Sequence, residues 1–241
     1  MATIKVIGSS SQGNSYIITS NGHKLIVELG CNFKEVLNAI DYDLASVAGA
    51  LCTHRHFDHA AYIPKALEYQ IPVYGNRNVV DKYPYVNLLT LNFRYSIGKF
   101  KVQCLEVPHN APCYAYIIDC PSGERILFAT DLNYFKYRVK GCDVIMMECN
   151  YSEDIIVDKM VEGKDIRSQS ENHLELNDCI KALYNNVCEK TKLVLLLHLS
   201  DGLSNENEFI KRARETTKGL CNAQVLCANK GQTYEINESD F

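Results

Sequence analysis

Residues 53–59 read Thr-His-Arg-His-Phe-Asp-His. His54, His56, Asp58 and His59 place four metal-ligating side chains within six residues. Three imidazoles and a carboxylate that close together suit a divalent cation such as Zn²⁺, or a pair of them. The stretch before, Val47 to Thr53, has the apolar character of a buried strand, and Ala60 to Tyr69 has that of a helix. The ligands therefore fall on a strand-to-helix turn, where α/β folds usually keep their chemistry. The alternative is a polar turn that is rich in histidine by accident. Further ligands downstream, spaced as a two-metal site needs, weigh against it.

The rest of the chain sets the frame for this turn. It has 241 residues without a Pro/Gly/Ser-rich linker, a repeat or a low-complexity run, which predicts one domain over residues 1–241. Apolar residues make up 46% of it, enough for a sizeable core. A formal net charge of −4 argues against a broad electrostatic grip on nucleic acid. It leaves room for a nuclease, because bound cations add local positive charge that the count omits. The eleven cysteines are odd in number and scattered, with no CxxC pair. They read as reduced, mostly buried small hydrophobes of a cytoplasmic protein. The N-terminus leads straight into a strand, so no signal peptide is expected, and no apolar run is long enough to span a bilayer.

Along the chain, Ile4 to Ile7 reads as a strand and Gly8 to Ser15 as a turn rich in Gly, Ser and Asn. That turn either brings N–H groups and hydroxyls close to an anion or is an ordinary hairpin connection. Ser10 and Asn14 are its candidate substrate contacts. Tyr16 to Thr19 and Lys24 to Leu29 are strands turned by Asn21-Gly22, and Glu28 ends the second. Asn32 to Ile40 and Asn76 to Lys82 have helical character, and residues 84–96 are the least readable part. Three apolar runs then each deliver a polar residue: Lys99 to Val107 delivers His109, Arg125 to Thr130 delivers Asp131, and Asp143 to Glu148 ends in an acid. Residues 152–162 read as a helix and 163–172 as a polar connection. His173 precedes a helix from about Glu175, with Leu176, Cys179, Ile180, Leu183 and Val187 at helical spacing. Leu193 to Leu197 delivers His198, Glu206 to Thr216 is an amphipathic helix, and Gln224 to Ala228 and Thr233 to Ile236 close the chain as strands. Of seven histidines, only His23, beside the Asn-Gly turn, looks idle.

The opening motif followed by His109, Asp131 and His198 resembles the metallo-β-lactamase fold superfamily, over essentially the whole chain. The HxHxDH form is that of its binuclear hydrolases. Gly8 to Ser15, Glu148-Cys-Asn150, His173 ahead of a helix and His198-Leu-Ser200 look most like the YycJ/WalJ-type proteins, linked to DNA exonuclease activity. They also resemble ribonuclease Z. The resemblance implies an α/β fold, a four-layer αββα sandwich with the site at one edge of the two sheets. It implies two divalent ions, Zn²⁺ or Mn²⁺. One would be held by His54, His56 and His109, the other by Asp58, His59 and His198, with Asp131 bridging both. A water shared between them would lose its proton near neutral pH and attack phosphorus. His173 is the implied general acid, with Glu148 beside it, and Asp58 counts with them as catalytic. A helix-entry histidine and a strand-end surface acid are the alternatives for His173 and Glu148. A homodimer is a further implication.

Two departures stand out. Relatives carry Asp where this chain has Glu28, and Gly before the histidine where it has Asn172. The long arm of ribonuclease Z has no counterpart here. The fold hosts thioester and phosphodiester hydrolysis alike. His173 and the Glu148-Cys-Asn150 run favour phosphodiesters, with DNA ahead of RNA. Ser200 joins Ser10 and Asn14 as a substrate contact, and Arg55, Lys159, Lys164 and Arg167 are candidates for the nucleic-acid backbone. The competing expectations are hydrolysis of a small thioester, as in glyoxalase II, and a nucleic-acid-binding protein without turnover.

Overall fold

The computed structural model describes residues 1–162 and 171–236. The Asn21-Gly22 signal turns β2 (Gly13–Ser20) into β3 (His23–Val27), both turn residues having positive φ, 48° and 77°. β1 (Ala2–Ser10) runs on to Ser10 and pairs with β2 as far as Gly13. The expected loop at 8–15 is thus a tight hairpin whose only unpaired residues are Ser11 and Gln12. A bulge between Val6 and Gly8 absorbs the change of register.

The first sheet continues through β4 (Val47–Cys52), β5 (Val73–Gly75) and β6 (Asn87–Leu88), in the order β14-β1-β2-β3-β4-β5-β6, with β14 at Thr233–Glu235. The second runs β13-β12-β11-β10-β9-β8-β7. Its strands are β7 (Arg94–Ile97), β8 (Phe100–Val107), β9 (Cys113–Asp119), β10 (Arg125–Ala129), β11 (Val144–Glu148), β12 (Leu193–Leu197) and β13 (Gln224–Cys227). In both sheets an antiparallel half adjoins a parallel half: β3 to β6 in one, β10 to β13 in the other.

Three apolar layers separate four structural layers. Alternate residues of one strand serve two of them, as the two-residue period of a strand requires. Leu193, Leu195 and Leu197 join Ile4, Tyr16, Ile18 and Phe128 between the sheets. Val194 and Leu196 face the other way, onto Leu183 of α6 (Leu176–Asn186) and Phe209 of α7 (Glu206–Thr217). Ile17 and Ile26 pack outward on Val36 of α1 (Phe33–Ala39), Ile63 of α3 (Ile63–Glu68) and Val79 of α4 (Arg77–Lys82). Burial on both faces is why β11 and β12 have no polar alternation. The layering is helix, sheet, sheet, helix, as the resemblance implied. The helix expected over Ala60 to Tyr69 is split into α2 (Phe57–Ala60) and α3, so the ligand turn itself becomes helical. α5 (Glu153–Val161) completes the helices among the described residues. None of these is long and apolar enough to cross a membrane. All eleven cysteines are free thiols, nine of them buried.

Candidate metal centre

The parallel halves of the sheets end at a common edge, and the polar residues collect there. β4 leads into His54, β8 into His109, β10 into Asp131, and β12 into His198, while Glu148 is the last residue of β11. Asp131 and His198 have left-handed backbones, with φ of 53° and 54°, and so does Glu28, at 68°. Such conformations cost non-glycine residues about 1–3 kcal/mol each and persist where surrounding structure imposes them. Each turns the chain sharply at a strand end and swings its side chain over the edge.

The nitrogens and oxygens converge. His54 Nε2 and His109 Nε2 lie 2.9 and 3.2 Å from His56 Nδ1, and 3.5 and 3.9 Å from Asp131 Oδ2. On the other side His59 Nε2 lies 2.9 Å from Asp131 Oδ2 and 3.1 Å from Asp58 Oδ2, and His198 Nε2 lies 3.8 Å from Asp58 Oδ2. Two groups of four, His54/His56/His109/Asp131 and Asp58/His59/Asp131/His198, meet at Asp131, and a third, Asp131/Glu148/His173/His198, overlaps the second. Donors held about 2.0–2.1 Å from one tetrahedral ion lie roughly 3.3 Å from each other. The observed separations bracket that value. Three imidazole nitrogens this close cannot satisfy one another, and His198 Nε2 is buried without a hydrogen-bond partner. A cation in each of the first two groups resolves both problems, so the residues fit the ions that the motif implies.

The electrostatics agree. Burial alone would push the Asp131 carboxyl up, but the charges of His59 and His198 hold it well below the usual range. Burial would likewise lower His59, yet Asp131 and Glu28 raise it far above an ordinary histidine. Burial lowers His54, His56 and His109 instead, which keeps those imidazoles neutral and able to ligate.

The far nitrogens of His109 and His54 are hydrogen-bonded, and that of His59 faces a carboxylate. His109 Nδ1 donates to the Asn172 carbonyl at 3.0 Å, leaving Nε2 for a cation. His54 Nδ1 meets Thr53 Oγ1 at 2.9 Å, and His59 Nδ1 lies 3.4 Å from Glu28 Oε2. Glu28 is fully buried and also accepts from the Thr53 N–H at 3.1 Å.

A model of the beta-lactamase superfamily domain matches residues 34–198, most of the chain and all seven of the converging residues. The chain belongs to the beta-lactamase superfamily. It is 23% identical over 216 residues to the exodeoxyribonuclease WalJ of Streptococcus pneumoniae, covering 81% of this chain and 80% of the relative. Ribonuclease Z of Clostridium kluyveri is 27% identical over 126 residues, 43% of this chain and 42% of that one. Among solved structures, the metallo-beta-lactamase fold protein YhfI of Bacillus subtilis superposes with a TM-score of 0.76 at 18% identity, covering 98% of this chain and all of the other. That likeness is one of fold.

In this beta-lactamase superfamily domain the remaining candidates separate by burial. Glu148 is fully buried and accepts from His173 Nδ1 at 2.7 Å, while its other oxygen accepts from the Leu132 N–H at 2.9 Å. The His173 side chain keeps 21% of its surface exposed. Burial lowers His173, but the Glu148 hydrogen bond and charge outweigh that and raise it above an ordinary histidine. Ser10 and Ser200 line a cavity of about 370 Å³ with His173 and His198. Asn14 does not reach it. It is fully buried, its amide 3.1 Å from His59 Nε2 and 3.4 Å from Asp58 Oδ2. Arg55 is exposed, Lys159 donates to the Gly202 carbonyl, and Lys164 and Arg167 lie outside the described residues.

Sequence reasoning missed the residues that support the ligands. Asn150 donates to the His198 carbonyl at 2.6 Å, and Ser9 Oγ accepts from the His198 N–H at 2.9 Å. A Cβ on Gly30 would collide with the main-chain carbonyl of Asp58, so only glycine lets the ligand turn seat against β3. The glycine after Glu28-Leu29 was the one signal available for that contact.

Proposed function

We propose that the chain is a binuclear metal-dependent phosphodiesterase that acts on DNA. One observation carries the reading: the buried Glu148 carboxylate holds His173 Nδ1 at 2.7 Å beside the ligand cluster. Ester hydrolysis of an activated thioester needs no such acid, because a thiolate leaves unaided. An alkoxide leaving from phosphorus does need one.

His54, His56 and His109 are assigned to one cation and Asp58, His59 and His198 to the other, with Asp131 shared. The imidazole-rich set suits Zn²⁺, and Mn²⁺ is the alternative. When bound, the two ions supply Lewis acidity toward phosphoryl oxygens and a water acidic enough to ionise near neutral pH. The chain's own residues do the rest. Glu148 fixes the His173 ring so that Nε2 carries the transferable proton. His173 passes that proton to the departing oxygen as the P–O bond breaks. Asp58, 21% exposed where Asp131 is nearly buried, orients the attacking water from the open side. Glu28, Thr53 and Asn14 hold the ligands in register. Ser10 and Ser200 offer hydroxyls to the bound strand. The match to WalJ spans most of the chain and the match to ribonuclease Z less than half, which supports DNA over RNA. The eleven free thiols support a cytoplasmic location.

The test is cleavage of end-labelled single- and double-stranded DNA and a matched RNA, with Mn²⁺ and Zn²⁺ supplied separately. Metal-dependent DNA cleavage that disappears in a His56→Ala/Asp131→Ala variant is the expected result. Two bound metals per chain, no cleavage of any strand and turnover of a glutathione thioester would overturn it.

A further inference from the structure

Cavities adjoin the ligand cluster on two sides. One on the His198 side holds Ser10, Ser200 and His173. The one on the His109 side measures about 380 Å³, and Pro108, Tyr134, Lys136 and Glu106 share its lining with His109. No role has yet been given to this second cavity.

Its wall is fixed to the cluster by the main chain. Tyr134 follows Asp131 by three positions, and the Asn133 N–H between them donates to the Pro108 carbonyl at 2.9 Å. The turn that carries Tyr134 is thereby tied to the strand end that carries His109. His109 Nε2 is in turn 3.2 Å from His56 Nδ1. Tyr134 is 52% exposed. A tyrosine half in solvent is ordinary at a protein surface, but this one walls a cavity whose lining includes a candidate metal ligand. Lys136 and Glu106 offset each other in that lining, so the cavity does not select for an anion. A flat aromatic wall with little net charge suits a neutral, planar group. On a nucleotide strand whose phosphate is at the cluster, that group is the base.

We propose that this cavity is a nucleobase subsite, in which Tyr134 stacks on the base next to the scissile linkage. The proposal rests on the nuclease reading above and adds to it a substrate form. A base inside a duplex has both faces covered by its neighbours, so it reaches Tyr134 only when unstacked. The substrate is accordingly a single-stranded or frayed end.

The experiment uses the full chain as isolated. Single strands carry 2-aminopurine at either terminal position, with phosphorothioate linkages to slow cleavage. Stacking on Tyr134 quenches the fluorescence, and a strand with an abasic terminal residue serves as the comparison. The base-bearing strand is expected to bind roughly 5- to 150-fold more tightly than the abasic one, the range for one base–aromatic stack. Tyr134→Ala and Tyr134→Leu should bring that ratio close to one, and Tyr134→Phe should keep it. A wild-type ratio of one, or a ratio that Tyr134→Ala and Tyr134→Leu leave intact, overturns the subsite. Tyr134-dependent quenching with no cleavage of unmodified strands would uphold the subsite and remove the nuclease reading. Cleavage with a wild-type ratio of one would do the reverse.

Discussion

His173 shows how a single side chain acquires a role from its partner. An imidazole ahead of a helix is unremarkable in a sequence. Here its Nδ1 is held by a carboxylate with no surface in water, and the residue lines the cavity beside His198. The same contact raises its affinity for a proton. His173→Ala should retain two metals per chain by elemental analysis while turnover of a DNA strand falls roughly 10²- to 10⁴-fold, the usual scale for a general acid. Full activity in that variant would remove His173 from the chemistry. The converging residues, from His54 to His198, were readable because their types and spacing are unusual. Asn150, Ser9 and Gly30 were not, because each acts through a neighbour distant in sequence. Asn14 looked like a surface contact in a Gly/Ser-rich turn, yet the hairpin buries it against His59.

Among the elements, the strands β10, β11 and β12 are the scaffold of the site, and their apolar runs made them visible in advance. What fastens the far end of the sandwich was less visible. Glu124, just before β10, accepts from the Ala2 N–H at 2.9 Å and from the Ser122 hydroxyl, while Ser122 N–H donates to Ser20 Oγ at 3.0 Å. One carboxylate thus ties β1 and β2 of the first sheet to the β9–β10 turn of the second. Burial alone would raise the Glu124 carboxyl, but the Ser122 and backbone hydrogen bonds outweigh it and hold it below the usual glutamate range. A depressed carboxylate stabilises the fold fully above its unfolded value and loses that contribution as pH falls through its folded value. The wild type should therefore lose more thermal stability than Glu124→Gln between roughly pH 5 and pH 3. Parallel melting curves of the two proteins over that interval would refute the assignment.

For the molecule as a whole, the cluster couples metal to stability. Two sheets meet at one edge only if Asp131, His198 and Glu28 accept left-handed backbones there and their buried imidazoles and carboxylates are compensated. Bound cations would supply that compensation. Ligand binding to the folded state alone adds about 2.7 kcal/mol at a hundredfold excess over Kd. For a chain of this length, chelation should lower the melting temperature by roughly 5–10 °C. Re-addition of Zn²⁺ or Mn²⁺ should restore it, and His56→Ala/Asp131→Ala should be insensitive to both treatments. A wild-type melting temperature indifferent to chelator would argue that these residues hold no ion.

The sequence by itself determined most element types and the identity of the residues that converge. Both follow from local patterns: apolar runs of strand length, helical spacing, and a motif dense in imidazole and carboxylate. It also carried the order of the ligand-bearing strands, since each run ends in its polar residue. Only the tertiary structure decided which nitrogen of each histidine faces the cluster, that Asn14 supports ligands, and that Tyr134 walls a cavity beside His109. Those facts depend on contacts between residues tens to more than a hundred positions apart. Such contacts arise when two sheets close on a common core, and no local period encodes them.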